Sequence, residues 1–264
     1  MPWPLHLEYA VRFDGKRVLI TGSTRGIGWV TAREFLARGA SVAINGRDPG
    51  KVHDAAEKFG GGASVIEAPG DLATVGQCES VVSRAIDGLG GLDILVNNAG
   101  YYTLASVEES NEDVWDMTMN VNVKSMFFCT RAALPVLRDG SGVIVNHASN
   151  AGLQGFAGCV LYSTAKGAVV NLTRALAMEL APDIRVNCLC PSTLDNEMGW
   201  REFNLDDDPQ AAYQACIDAS PLKRIGTSED AAGAIMFLAS DYSKFITGIA
   251  IPVDGGKAAG RSGK

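Results

Sequence analysis

Residues 17–37 read RVLITGSTRGIGWVTAREFLA, and the architecture follows from how this run changes character along its length. It opens with a continuous apolar stretch (17–21), turns through TGSTRGIG (21–28), and continues in a helical pattern over 27–38. Gly22, Gly26 and Gly28 let the backbone turn tightly and approach a ligand, and the helix that follows offers free N–H groups to an anion. The spacing is G-x3-G-x-G rather than G-x-G-x-x-G. A glycine triplet alone is weak evidence, since any strand-to-helix turn uses glycine. After the first strand of an α/β chain it predicts a nucleotide pyrophosphate site, with Ser23, Thr24, Arg25 and Ile27 completing the loop.

The same strand-then-helix alternation runs to the far end. Strands are expected at 17–21, 41–45, 63–67, 92–96, 142–146, 184–189 and 248–252, and helices near 27–38, 51–59, 74–88, 111–137, 159–181 and 228–239. Continuous Val/Ile/Leu strands indicate a sheet covered on both faces. Alternation with helices implies right-handed β-α-β units, hence an α/β fold with a doubly wound parallel sheet. No linker, repeat or low-complexity block interrupts residues 1–264, so one domain is expected, with 1–12 and 257–264 as poorly ordered extensions.

Composition narrows the class. Of 264 residues 47% are hydrophobic, too many for disorder, and the formal charge of −7 argues against a nucleic-acid partner. The N-terminus lacks the basic and apolar regions of a secretion signal, and the most apolar helix (166–181) is interrupted by Lys166, Asn171 and Arg174, so no membrane span is expected. Six cysteines without C-x-x-C or metal-ligand spacing read as reduced core residues of a cytoplasmic protein with no metal, Cys188 and Cys190 sharing one face of a strand.

The end of the second strand selects the nucleotide. An NAD site usually carries Asp or Glu there for the ribose hydroxyls. This chain has Asn45-Gly46-Arg47, with no carboxylate before Asp48. Arg47, joined by Arg25, suits the 2′-phosphate of NADP(H), which favours NADP(H) over NAD(H). Solvated loop arginines, with Asp48 neutralising Arg47, are the bland alternative. Further strand ends carry Gly70-Asp71-Leu72 and Asn97-Asn98-Ala99-Gly100. Asp71 is a candidate acceptor for the adenine amino group, and the Asn98–Gly100 turn for the adenine ribose, unless both are local Asx turns.

The chemistry falls at the fifth strand and its helix. Tyr162 and Lys166 lie four apart in LYSTAKGAVVNLTRALAMEL, on one helical face, and Ser149 stands thirteen residues before Tyr162. A free phenol titrates near about 10, so an adjacent ammonium is expected to lower it toward the range of general acid–base work.

In their joint order, TGSTRGIG, Gly70-Asp71-Leu72, NNAG, NVNVKSMFF, Ser149, Tyr162-x3-Lys166, VNCLCP and PVDGG resemble the short-chain dehydrogenase/reductase family over about residues 15–256. The resemblance implies a Rossmann-like fold of seven strands and a Ser–Tyr–Lys–Asn tetrad. Tyr162 is then the general acid/base, Ser149 polarises the substrate oxygen, and Lys166 lowers the phenol and holds the nicotinamide ribose. Asn122, preferred by register over Asn120, holds a water in a proton relay. Pro191, Thr193 and Leu194 follow the sixth strand where the family grips the carboxamide. Here Ser192 replaces the usual Gly and Asn196 stands near the usual Thr, so Asn196 is a further candidate. His147 replaces an apolar residue and reads as a buried, hydrogen-bonded side chain rather than the partner of a serine nucleophile.

Residues 193–220 are expected to form a long loop over the cofactor, with Met198, Trp200 and Phe203 joining Leu153, Gln154 and Phe156 as an apolar wall. Asp206-Asp207-Asp208 reads as a solvated edge or a helix start. The expected substrate is an uncharged alcohol or ketone of moderate size. Apolar helices at 111–137 and 159–181 suggest burial in a homodimer or homotetramer. Competing readings are a methyltransferase, a 3-oxoacyl reductase and a non-catalytic, dinucleotide-binding redox sensor.

Overall fold

The computed structural model describes residues 11–260. Seven strands form one sheet: β1 (Arg17–Ile20), β2 (Ser41–Ile44), β3 (Val65–Glu67), β4 (Ile94–Asn97), β5 (Val143–His147), β6 (Arg185–Pro191) and β7 (Ala250–Val253). All neighbours are parallel, in the order β3-β2-β1-β4-β5-β6-β7. This is a Rossmann-like, doubly wound, single-domain α/β fold.

Continuous apolar strands are explained by the two layers they feed. Val18, Ile20, Ile94, Val96, Val143 and Val145 point into one core, against α1 (Gly26–Ala37), α2 (Pro49–Lys58) and α9 (Ser228–Ala239). The intervening Leu19, Leu95 and Ile144 point into the other, against α3 (Val75–Leu89), α5 (Ser125–Leu137) and α6 (Val160–Leu180). Side chains alternate along a strand, so a sheet covered on both faces needs apolar residues at every position. Cys188 and Cys190 do share one face of β6, buried with Met126, Val169 and Val170, and all six cysteines are free.

Several strands run further toward their carboxyl ends than apolarity predicts. β4 ends at Asn97, β5 at His147 and β6 at Pro191. Their polar residues stay in the ladder because they bond one another inside the core. Asn97 Nδ2 donates to Asn146 Oδ1 at 2.9 Å, and Asn146 Nδ2 donates to Thr173 Oγ1 at 3.0 Å.

The helix expected over 111–137 is broken. α4 (Glu112–Met119) passes into a π-helical turn (Asn120–Lys124) before α5 begins. One extra residue per turn rotates the chain locally, which no apolar periodicity can announce. Residues 193–220 are not a loop but mainly two helices, α7 (Glu197–Phe203) and α8 (Pro209–Ala219). Each is started by a side chain that accepts from first-turn N–H groups: Asn196 for α7, and Asp208, followed by Pro209, for α8. Trp200 stacks on Tyr213 at 5.3 Å and 14°, locking the two helices together.

Of the expected extensions, residues 1–10 and 261–264 lie outside the described residues. The described ends are anchored. Val11 packs on the core, and Gly256 and Ala258 donate backbone N–H groups to the Asp254 carboxylate at 2.9 and 2.7 Å. Among the described residues no helix is long and apolar enough to cross a membrane.

Candidate active site

Strand order reverses between β1 and β4, and the crevice outside their carboxyl ends is where such sheets bind ligands. A cleft of about 430 Å3 opens there, running from Gly46 and Arg47 across the glycine loop to Tyr162 and Lys166.

The loop glycines have separate jobs. Gly22 (φ +63°) lies against Ala99, whose Cα is 2.9 Å from where a Cβ would stand. Gly26 (φ +56°) has open space at its Cβ position, a bare cradle at the first residue of α1. No side chain caps that helix and no acidic residue occupies its first turn, so its N–H groups remain available to an anion. At Gly28 an added Cβ would meet Gly22 O at 2.4 Å and Asn98 Nδ2 at 2.5 Å. Gly28→Ala is therefore expected to destabilise the fold by about 1–3 kcal/mol and to weaken nucleotide binding. Thermal unfolding and a nucleotide titration of the variant check this. A pyrophosphate fits this bare, uncapped cradle.

Thr24, Arg25 and Ile27 line the cleft, but Ser23 is withdrawn beneath the loop. Its Oγ donates to Ile20 O at 2.8 Å and accepts from Asn45 N at 2.9 Å, so its side chain is engaged beneath the loop rather than in the lining of the cleft. Arg25 crosses the cleft to Glu197 of α7 (2.7 Å), whose carboxylate also takes Arg201 at 2.8 Å. Arg47 lies exposed at the end of the cleft without an ion-pair partner among the described residues. Asp48 does not neutralise it. That carboxylate caps α2, accepting from Gly50 N at 2.9 Å and Lys51 N at 3.3 Å. Asp71 lines the cleft yet closes its own turn, accepting from Ala73 N at 3.1 Å, and Leu72 beside it is buried.

Asn98, Ala99 and Gly100 form the opposite wall. Asn98 Nδ2 donates to Thr21 O (2.9 Å) and Gly22 O (3.0 Å), which leaves its Oδ1 as an acceptor for His147 Nδ1 at 2.9 Å. His147 must then carry its proton on Nδ1. Burial, with the nearby Lys166 charge, pushes its pKa down to about 3 and keeps it neutral. Its backbone carbonyl accepts from Lys166 Nζ at 2.8 Å. His147 thus ties the glycine loop to the buried lysine.

Ser149, Tyr162, Lys166 and Asn122 are brought together. α6 carries Tyr162 and Lys166 one turn apart, with Nζ 5.6 Å from the ring centroid. Burial raises the Tyr162 phenol above its ordinary value, and the nearby Ser149 hydroxyl offsets this only in part. Ser149 Oγ itself donates to Asn150 Oδ1 at 3.2 Å and accepts from Ala151 N at 3.1 Å. The expected lowering by Lys166 is not seen. The ammonium spends a donor on His147 O, and is itself pushed down to about 8 by burial.

Asn122 is buried in the π-helical turn, its Nδ2 donating to Tyr101 O (2.8 Å) and Thr118 O (2.9 Å) and its Oδ1 accepting from Tyr101 N (3.2 Å). Asn120 instead bonds exposed Lys124 at 3.1 Å, which separates the two candidates.

After β6, Pro191, Thr193 and Leu194 line the cleft. Asn196 lines it too, but its Oδ1 is spent capping α7, at 3.0 Å from both Met198 N and Gly199 N. The apolar wall is smaller than expected. Phe156 and Met198 line the cleft, whereas Trp200 and Phe203 pack against Tyr213, and Leu153 and Gln154 lie outside the lining. Tyr102 and Glu202 were missed and are present. Tyr102 meets Tyr162 edge-on at 4.9 Å, and Glu202 Oε2 accepts from Thr193 Oγ1 at 3.2 Å. A helix start at Asn196 was the signal for Glu202, since it puts Gly199, Glu202 and Phe203 on one inward face.

A family model described as enoyl-(acyl carrier protein) reductase matches residues 22–258. An uncharacterized oxidoreductase of Thermotoga maritima is 40% identical over 254 residues, covering 94% of this chain and 100% of that protein. The meso-2,3-butanediol dehydrogenase of Serratia marcescens is 38% identical over 255 residues, covering 94% and 97%. Among solved structures, a short-chain dehydrogenase/reductase (glucose/ribitol dehydrogenase) from Brucella melitensis superposes with a TM-score of 0.88 at 31% identity, covering 93% and 98%. With the strand order, the glycine loop and the grouping of serine, tyrosine and lysine, these matches make the chain a member of the short-chain dehydrogenase/reductase family, oxidoreductases that act on hydroxyl groups with a nicotinamide nucleotide.

Proposed function

We propose that the protein is an NADP(H)-dependent oxidoreductase acting on a secondary alcohol/ketone pair. The observation that carries the reading is a single cleft with Ser149, Tyr162 and Lys166 at one end and an unpaired Arg47 at the other. Bound in it, the dinucleotide supplies or accepts the hydride. The free N–H groups at the start of α1 hold the pyrophosphate, with Thr24, Arg25 and Ile27 around it. Arg47 holds the 2′-phosphate, Asp71 to Leu72 and Asn98 to Gly100 flank the adenosine, and Pro191, Thr193 and Leu194 hold the carboxamide. Lys166 offers its remaining donors to the nicotinamide ribose.

Ser149 Oγ donates to the substrate oxygen and positions it beside the Tyr162 hydroxyl. In ketone reduction Tyr162 gives its proton to that oxygen; in alcohol oxidation it takes the proton back. A phenol raised by burial suits the first role at neutral pH. Asn122 acts as a strut, its side chain spent on Tyr101 and Thr118. A non-catalytic nucleotide sensor gains no support from a site with all four groups in place. A 3-oxoacyl reductase gains little from the acidic 206–208 turn that joins α7, which lines the cleft, to α8.

The nucleotide preference has a direct test. An added Cβ at Gly46 would stand 2.7 Å from Thr24 Cγ2, so no acidic side chain is accommodated there without displacing Thr24. Arg47→Asp is expected to lower the NADP+/NAD+ ratio of kcat/KM by about 10- to 100-fold, the worth of one charge-assisted contact. Equal use of both nucleotides by the unaltered protein overturns the preference. We also place the protein in a homodimer or homotetramer, supported by exposed Trp115, Met117, Phe127 and Met178 on α4 to α6.

A further inference from the structure

α7 turns Gly199, Glu202 and Phe203 inward, and Glu202 is the acidic member of this face. Glu202 lines the same cleft as Tyr162 and Ser149, on the side formed by α7. One oxygen accepts from Thr193 Oγ1 at 3.2 Å. A carboxylate has about four acceptor positions, so this bond and the nearby Tyr102 hydroxyl leave capacity unused. Burial pushes the Glu202 carboxyl above the usual carboxylate range, as expected of an acid drawn out of water without a basic partner at hand. Lys257 acts on it only from beyond ion-pair distance. Among the described residues no helix cap, turn or salt bridge employs the Glu202 carboxylate, and Tyr102 beside it lies edge-on to the Tyr162 ring at 4.9 Å.

We propose, resting on the dehydrogenase reading above, that Glu202 selects substrates carrying a second hydroxyl near the reacting one, vicinal diols or polyols, and rejects substrates with an anionic end. The second hydroxyl donates to the free acceptor positions of the carboxylate while Ser149 and Tyr162 hold the reacting oxygen. A carboxylate or phosphate on the substrate meets repulsion from Glu202 in a low-dielectric wall, where like charges are costly. A substrate ammonium is disfavoured by the Lys166 ammonium, which lines the same cleft. A hydroxyl meets neither penalty.

The test is oxidation of two matched series with NADP+ and with NAD+. One is butan-2-ol, butane-2,3-diol and 3-hydroxybutanoate; the other is cyclohexanol, cis-cyclohexane-1,2-diol and 2-hydroxycyclohexane carboxylate. For the unaltered protein kcat/KM is expected to be about tenfold or more higher for the diol than for the mono-alcohol, and lowest for the hydroxy acid. Glu202→Met, which removes the acceptors, should bring the diol/mono-alcohol ratio close to one, mainly through the KM of the diol. Glu202→Gln keeps the Thr193 bond and removes the charge, and should raise the hydroxy acid relative to the mono-alcohol by about tenfold. Turnover with equal rates for diol and mono-alcohol, or ratios unmoved by both variants, overturns the role of Glu202 alone. If neither nucleotide supports oxidation of any of the six compounds, the dehydrogenase reading falls and the inference falls with it.

Discussion

Tyr162→Phe is expected to lower kcat by about 10²- to 10⁴-fold, the usual worth of a positioned acid–base group, with a much smaller effect on nucleotide affinity. The ring stays, and with it the edge contact to Tyr102 and the packing under Lys166, so the fold should survive. Only the proton-carrying oxygen is lost. The pH dependence separates this role from a packing role. Burial raises the phenol, so it stays protonated through neutral pH. Ketone reduction should therefore be supported at neutral pH, and alcohol oxidation should climb as pH rises into the alkaline range. In Tyr162→Phe the small residual oxidation rate should lose that climb. Steady-state rates in both directions from pH 6 to 10 check it; a variant retaining full turnover would end the assignment.

Lys166→Met is expected to cost about 10²-fold in turnover and yet make the protein without nucleotide more stable near neutral pH. The ammonium is buried, bonded to the neutral carbonyl of His147 and to no carboxylate. Its pKa is lowered from 10.5 to about 8, so the folded chain binds its proton less well than the unfolded chain does. Below about pH 8 both states are charged, and the fold bears the full cost, on the order of 3 kcal/mol. Between about 8 and 10.5 the folded protein releases the proton while the unfolded chain keeps it, so stability rises with pH. Above that window the cost is gone. Methionine fills the volume without the charge but abandons the His147 carbonyl, leaving a net gain of about 1–2 kcal/mol at pH 7. Thermal unfolding from pH 7 to 10 should give a higher Tm for the variant at pH 7, with the gap closing as pH rises. A lower Tm at pH 7 would contradict this account.

The two effects share a cause. The catalytic end of the cleft is assembled from groups that the fold alone does not need. His147 holds the lysine through its backbone carbonyl and the glycine loop through its ring and Asn98, so the glycine-loop end and the Tyr162–Lys166 end of the cleft rest on one residue.

Residue order alone was enough for the α/β class, the parallel sheet, the glycine loop and the pairing of Tyr162 with Lys166. These rest on local rules: strands buried on both faces are apolar throughout, glycines permit the left-handed turn, and residues four apart share a helix face. Packing decided the rest. Register favours Asn122 over Asn120, but apolar periodicity carries no sign that Asn122 sits in a π-helical turn with its side chain spent on Tyr101 and Thr118. The Ser23 hydroxyl is engaged beneath the loop and the Asn196 Oδ1 starts a helix, and both engagements depend on partners that packing supplies. Glu202 became a cleft residue only when α7 folded over the sheet and turned that face inward. The phenol stands high rather than low for the same kind of reason. The one-turn spacing places an ammonium nearby, but how much water reaches the ring, and which acceptor claims the ammonium, depend on segments brought together from across the chain.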